Sequence, residues 1–160
     1  MQLSDSILTR LEYQHQTVGT LTAVLSEEQL KTAVLPGKWS AFENMVHLVS
    51  YQPTFINRLG LILKEESPLF ERYVAEQDPL FYIYLKKSRE ELLDILSTDR
   101  KKLWISLQGL KEEQLHRKGT HLKFGTMNIP QWTEVFLLHE AHHLWTMLQL
   151  ISTFRPGVKK

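Results

Sequence analysis

Three histidines fall within five residues near the end of the chain, in the string Leu137-Leu138-His139-Glu140-Ala141-His142-His143-Leu144. On a helix His139 and His143 stand four residues apart, so both imidazoles leave one face within reach of a single metal ion. The string also spells H-E-x-x-H, in which zinc proteases use the glutamate, here Glu140, as general base. Such a protease takes its third ligand from further downstream, yet Leu144 to Lys160 contains no His, Asp or Glu. The third ligand must then lie upstream, which breaks the protease pattern. Catalytic residues stay unassigned, with Glu140 as a residual candidate about 100° round the helix from His139.

His142, about 60° from His139 on the same helix, suits a supporting or surface role better than ligation. The best upstream ligand candidate is His47, flanked by Met45, Val46, Leu48 and Val49. Those apolar neighbours predict burial but not the direction of the ring, so a lone core histidine remains an alternative. His139 and His143 themselves interrupt an apolar line of Trp132, Phe136, Met147 and Leu150. Buried imidazoles need partners: a metal would satisfy both, and hydrogen-bonded core histidines are the competing reading.

Four long helices are expected to position these residues. Apolar spacing over Leu3, Ile7, Leu11, Val18, Leu21 and Leu25 predicts one helix from about residue 4 to 25. Ser40-Ala41-Phe42-Glu43 has the form of a capping box and opens a second helix to about residue 66, with Pro53 as a kink. A stripe of Leu92, Leu96, Leu103, Leu107 and Leu110 predicts a third over about 85–110. Pro130 begins a fourth, to about residue 154. The link over 67–84, aromatic-rich between Pro68 and Pro79, would cross from the second helix to the third. These elements fit an all-α four-helix bundle, read as one domain over residues 1–160. Gly119 to Thr126 alternates weakly and reads as a loop. Leu25-Ser26-Glu27-Glu28-Gln29-Leu30 echoes Leu110-Lys111-Glu112-Glu113-Gln114-Leu115, which suggests two related helical hairpins that bring the second and fourth helices together. Polar residues interrupt the inward stripes at Gln14 or His15 and at Asp99 or Arg100. They either line a polar pocket around the metal or mark an exposed turn, the simpler reading. Trp39, in the loop before the second helix, reads as a packing anchor.

Composition excludes several classes. There is no cysteine, which rules out disulfides, thiolate metal sites and cysteine nucleophiles. A net charge of +1 implies no strong pull toward nucleic acid or anionic membrane. The first ten residues lack the apolar run of a leader, and no stretch approaches the roughly 18 apolar residues of a membrane span. A cytoplasmic protein is expected.

Gly37-Lys38-Trp39-Ser40, Glu43-Asn44 and His47-Leu48, followed far downstream by His139-Glu140-Ala141-His142-His143, resemble the DinB-like superfamily of small bacterial metalloproteins. The resemblance covers about residues 4–154. It implies a four-helix bundle with a long crossover between the second and third helices. It also implies one divalent metal, commonly zinc or nickel, held by His47, His139 and His143 with open positions for water or substrate. Some relatives in this family transfer a low-molecular-weight thiol to an electrophile, and others resemble metal-dependent hydrolases. Homodimers are frequent among them, although no helix face here marks an interface. Three neutral imidazoles leave the ion's charge largely uncompensated, which favours activation of either water or a thiol. The expected function is thiol transfer to a small electrophilic substrate. The alternatives are metal-dependent hydrolysis and a non-enzymatic bundle that binds a metal or a small ligand.

Overall fold

The amino-terminal stripe folds as two helices, α1 (Asp5–Tyr13) and α2 (Gln16–Thr22), in the computed structural model, which describes residues 2–154. The single helix expected over 4–25 is therefore corrected. At Gln14 and His15 the backbone tightens to bonds three residues back, Thr17 N–H to Gln14 O at 3.1 Å and Val18 N–H to His15 O at 3.1 Å. A short α3 (Glu27–Lys31) follows, and then the 24-residue α4 (Ala41–Lys64). The Ser40 hydroxyl accepts from Glu43 N–H at 3.1 Å, while the Glu43 carboxylate accepts from Ser40 N–H at 2.7 Å. This is the capping box read from the sequence. Helix α4 runs on through Pro53.

The crossover carries β1 (Leu69–Phe70), one 3-10 turn and α5 (Pro79–Tyr84) before α6 (Arg89–Gln108). The third long helix thus begins at a Ser88–Glu91 capping box and not at residue 85. After α7 (Glu112–Leu115) the chain forms β2 (Lys118–His121) and β3 (Gly125–Asn128), then α8 (Ile129–Ser152). The loop expected at 119–126 is in fact an antiparallel hairpin, Gly119 opposite Met127 and Thr120 opposite Thr126. Gly125 turns it at φ +78°. Strand β1 pairs in parallel with β2, Leu69 opposite Thr120. Gly119 is required there: a Cβ would lie 2.8 Å from both Ile62 Cγ1 and Phe70 Cε2. The short helices of the internal echo, α3 and α7, each bury one leucine, Leu30 and Leu115.

Helices α4 and α8 lie side by side, with α6 and the α1–α2 pair completing the bundle. Its core divides into two apolar clusters. One gathers Ile7, Leu11, Phe55, Leu103, Phe136 and Leu137; the other gathers Val18, Met45, Val49, Leu92, Leu96 and Met147. On each helix a polar side chain marks the boundary, and four of these join across the bundle. Arg100 is 1% exposed and forms an ion pair with Glu140, 2% exposed. It also donates from Nε to Gln52 Oε1 at 2.7 Å, and Gln14 Nε2 donates to Glu140 Oε1 at 2.9 Å. Gln52 in turn donates to Leu96 O at 2.9 Å. Every long element is tied into one buried polar layer. The exposed-turn reading of position 100 is thereby corrected, while Asp99 pairs with Lys102 at the surface.

Candidate metal centre

His47 points inward from the second turn of α4, because Ser40 fixes where the helix starts and Asn44, His47 and Tyr51 share its α8-facing side. From α8, His139 and His143 project toward the same point. His47 Nε2 and His139 Nε2 are 2.9 Å apart, and one ligand nitrogen from each of the three histidines falls within 4.8 Å of the others. Two nitrogens each about 2.0–2.1 Å from a shared ion would stand about 3 Å apart.

Hydrogen bonds and burial set the form of these rings. Asn44 Nδ2 donates to Ser40 O at 2.9 Å, which turns Asn44 Oδ1 toward His143 Nδ1 at 2.8 Å. His143 must then carry its proton on Nδ1, leaving Nε2 free to coordinate. Burial, followed by the neighbouring His143, pushes the His47 pKa down to about 3. Burial and His47 do the same to His139, and burial and His139 to His143, each to about 3. All three rings are neutral near pH 7, the form that binds metal. His47 Nδ1 and His139 Nδ1 have no partner among the described residues. Those two rings are oriented by where their Nε2 atoms converge, not by a bond on the other nitrogen. The donor set fits a divalent ion.

The cluster closes one end of a cavity of about 540 Å³. Trp39 packs over it, its ring 5.0 Å from that of His47 and 5.5 Å from that of Phe81. It is therefore both the anchor expected from sequence and part of the cavity wall. Tyr51 lies 4.6 Å from the His139 ring and Tyr73 5.6 Å from that of His47. Burial pushes both phenol pKa values up, so both hydroxyls stay protonated. His142 is exposed at the rim.

Glu140 faces the other way. Its carboxylate belongs to the buried layer with Arg100 and Gln14, and it does not line the cavity. Nor do Gln14, His15, Asp99 or Arg100, so the polar pocket suggested for them around a metal does not form. His15 instead lines a separate cleft beside Arg100. Sequence reasoning gave no role to Asn44, although its spacing three before His47 puts it on the same face. Arg58, His121 and Lys123 on the opposite wall carry no such signal, and the hairpin that holds two of them lies where the sequence predicts a loop.

The profile of the DinB superfamily matches residues 10–147. A protein of Oceanobacillus iheyensis named "Putative metal-dependent hydrolase OB0782" is 26% identical over 120 residues, 75% of this chain and 69% of that one. Among solved structures, YfiT from Bacillus subtilis superposes with a TM-score of 0.81 at 20% identity, covering 94% of this chain and 86% of that one. It is described as a probable metal-dependent hydrolase with an unusual four-helix bundle topology. TT2238, described as a four-helix bundle protein, gives 0.67 at 21% identity, with 91% and 98% covered. At these identities the structural likeness concerns the fold. No helix among the described residues is long and apolar enough to cross a membrane.

Proposed function

This chain belongs to the DinB superfamily, and from that footing we propose that it is a metal-dependent enzyme whose ion, zinc or nickel, is held by His47, His139 and His143. When bound, such an ion supplies a positive centre that lowers the pKa of a nucleophile beside it. The chain's own residues bind and shape. Asn44 orients His143, Trp39 shields one side of the cluster, and the Tyr51 hydroxyl stands as a neutral proton donor along the cavity, whereas the Tyr73 hydroxyl donates to Asp78 Oδ2 at 2.8 Å.

The observation that favours a thiol as nucleophile is that, among the described residues, no carboxylate stands beside the histidine cluster to act as a general base. The one carboxylate lining the cavity is Glu76, exposed at its edge, and Glu140 is held by Arg100. A thiol with an ordinary pKa near about 8.5 ionises with a modest shift, whereas water starts near about 15.7. The reading is transfer of a small thiol to an electrophilic substrate. Hydrolysis is the second reading, favoured by the name of the Oceanobacillus relative.

The test loads purified, untagged protein with zinc or nickel and follows thiol loss against a panel of electrophiles, with ester and amide hydrolysis alongside. Thiol consumption that disappears in His139→Ala supports transfer. Hydrolysis without thiol binding at millimolar concentration makes the protein a hydrolase. Neither activity leaves a bundle that binds a metal or a small ligand without catalysis.

A further inference from the structure

Arg58 lies eleven residues after His47 on α4, three turns along and about 20° round, which puts it on the same face about 16 Å further down the helix. It is 7% exposed and lines the cavity at the end away from Trp39. Its guanidinium donates to Glu71 O at 2.7 Å and to Tyr51 Oη at 3.4 Å. The aromatic rings of Phe70 and Trp132 flank it at 5.6 and 5.8 Å. Among the described residues it pairs with no carboxylate. A guanidinium carries five N–H donors, and burying one without a counter-charge costs several kcal/mol.

Arg100 provides the comparison within the same molecule. It is more deeply buried, and there the chain supplies a carboxylate and an amide oxygen. At Arg58 the chain supplies a neutral carbonyl and a phenol, and leaves the remaining donors to the cavity. The surroundings add to the same charge. Arg72 and Lys123 stand exposed on the wall, against Glu76 alone. His121, 5% exposed, accepts from Lys123 N–H on its Nδ1 at 3.0 Å, so its neutral ring keeps a proton on Nε2 as one more donor. Burial and then Arg58 lower the His121 pKa.

We infer that the cavity takes a reactant bearing an oxyanion, a carboxylate or phosphate, and that Arg58 is the residue that grips that group while the reacting end lies at the histidines. The missing counter-ion of Arg58 is then brought in by the substrate. Specificity for an anionic over a neutral reactant follows from the desolvation of this one guanidinium, and Arg72 and Lys123 steer approach from the rim. The inference rests on the cavity being the substrate site, but anion binding is measurable without turnover.

Inorganic phosphate and malonate are titrated calorimetrically at constant ionic strength into zinc-loaded and metal-free protein, with glycerol as the neutral control. Saturable binding is expected in both forms, weakened at least about tenfold in Arg58→Gln and only about two- to threefold in Arg72→Gln or Lys123→Gln. Arg58→Lys, which keeps the charge but loses the planar fork, should fold and bind with intermediate affinity even if the glutamine variant does not fold. Equal affinity in wild type and either Arg58 variant, or no anion binding in either form, overturns the inference. Arg58-dependent binding to metal-free protein upholds it even if every assay of turnover fails, so the two readings fail separately.

Discussion

Replacing Glu140 by glutamine separates a structural role from a catalytic one. The substitution keeps the shape and leaves an amide oxygen to accept from Gln14 and, at 3.4 Å, from Arg100 Nη1, but it removes the counter-charge of a guanidinium in the core, 1% exposed, whose other partners are Gln52 Oε1 and the more distant Leu11 O at 3.4 Å. Removing one member of a buried ion pair costs about 3–5 kcal/mol. Because these hydrogen bonds to Arg100 persist, the lower end applies, about 3 kcal/mol. For a chain of this length that corresponds to a fall in Tm of roughly 6–12 °C. Metal content should not change, since the carboxylate does not face the histidines. Replacing the pair together, Glu140→Leu with Arg100→Met, should recover most of the loss, as apolar substitutes for buried ion pairs commonly do. Urea denaturation of the single and double variants, with metal analysis of each, makes the measurement. A stability loss below about 1 kcal/mol together with a fall in turnover of about 100-fold or more would refute the structural role and restore Glu140 as a base.

Two further outcomes are expected. His139→Ala combined with His143→Ala should abolish stoichiometric zinc retention, and Asn44→Ala alone should weaken zinc binding about 10- to 100-fold by freeing the His143 ring, as competition with a chromogenic chelator would read; zinc held at one per chain after the double replacement would contradict the assignment. In metal-free protein, His15, at about 4, and the three cluster histidines, at about 3, lie below their unfolded value of about 6.5, so the unfolded chain takes up protons first. Their stability contribution is complete above about pH 6.5 and is lost as pH falls toward about 4 for His15 and about 3 for the cluster, by up to roughly 1.4 kcal/mol per pH unit for each ring; urea midpoints that stay flat between pH 7 and 5 would contradict it.

Much of the bundle could be read in advance because its signals are local. The His139 to His143 spacing, the Ser40–Glu43 cap and the leucine stripe of α6 each depend on residues within a few turns of one another. The interruptions at Gln14 and Arg100 were visible for the same reason, as breaks in a period, but their purpose lay in partners about 40 to 126 residues away. The hairpin escaped because its strands span four residues each and its third strand lies some 50 residues upstream. With it went His121 and Lys123. Arg58 looked like any charge on the last turns of a helix. Only packing against Phe70 and Trp132 reveals that it is buried in the cavity wall.

The buried polar layer acts on α8 as a key acts on a shaft. Glu140 follows His139 directly, so the ion pair that holds Glu140 on one side of the helix holds the imidazoles on the other, and a turn by a single residue would swing both through about 100°. The side of α8 from which His139 and His143 project is thus fixed by contacts within the protein. The five letters that resemble a protease signature are divided between two tasks: the histidines face the cavity, and the glutamate sets the angle at which they do so.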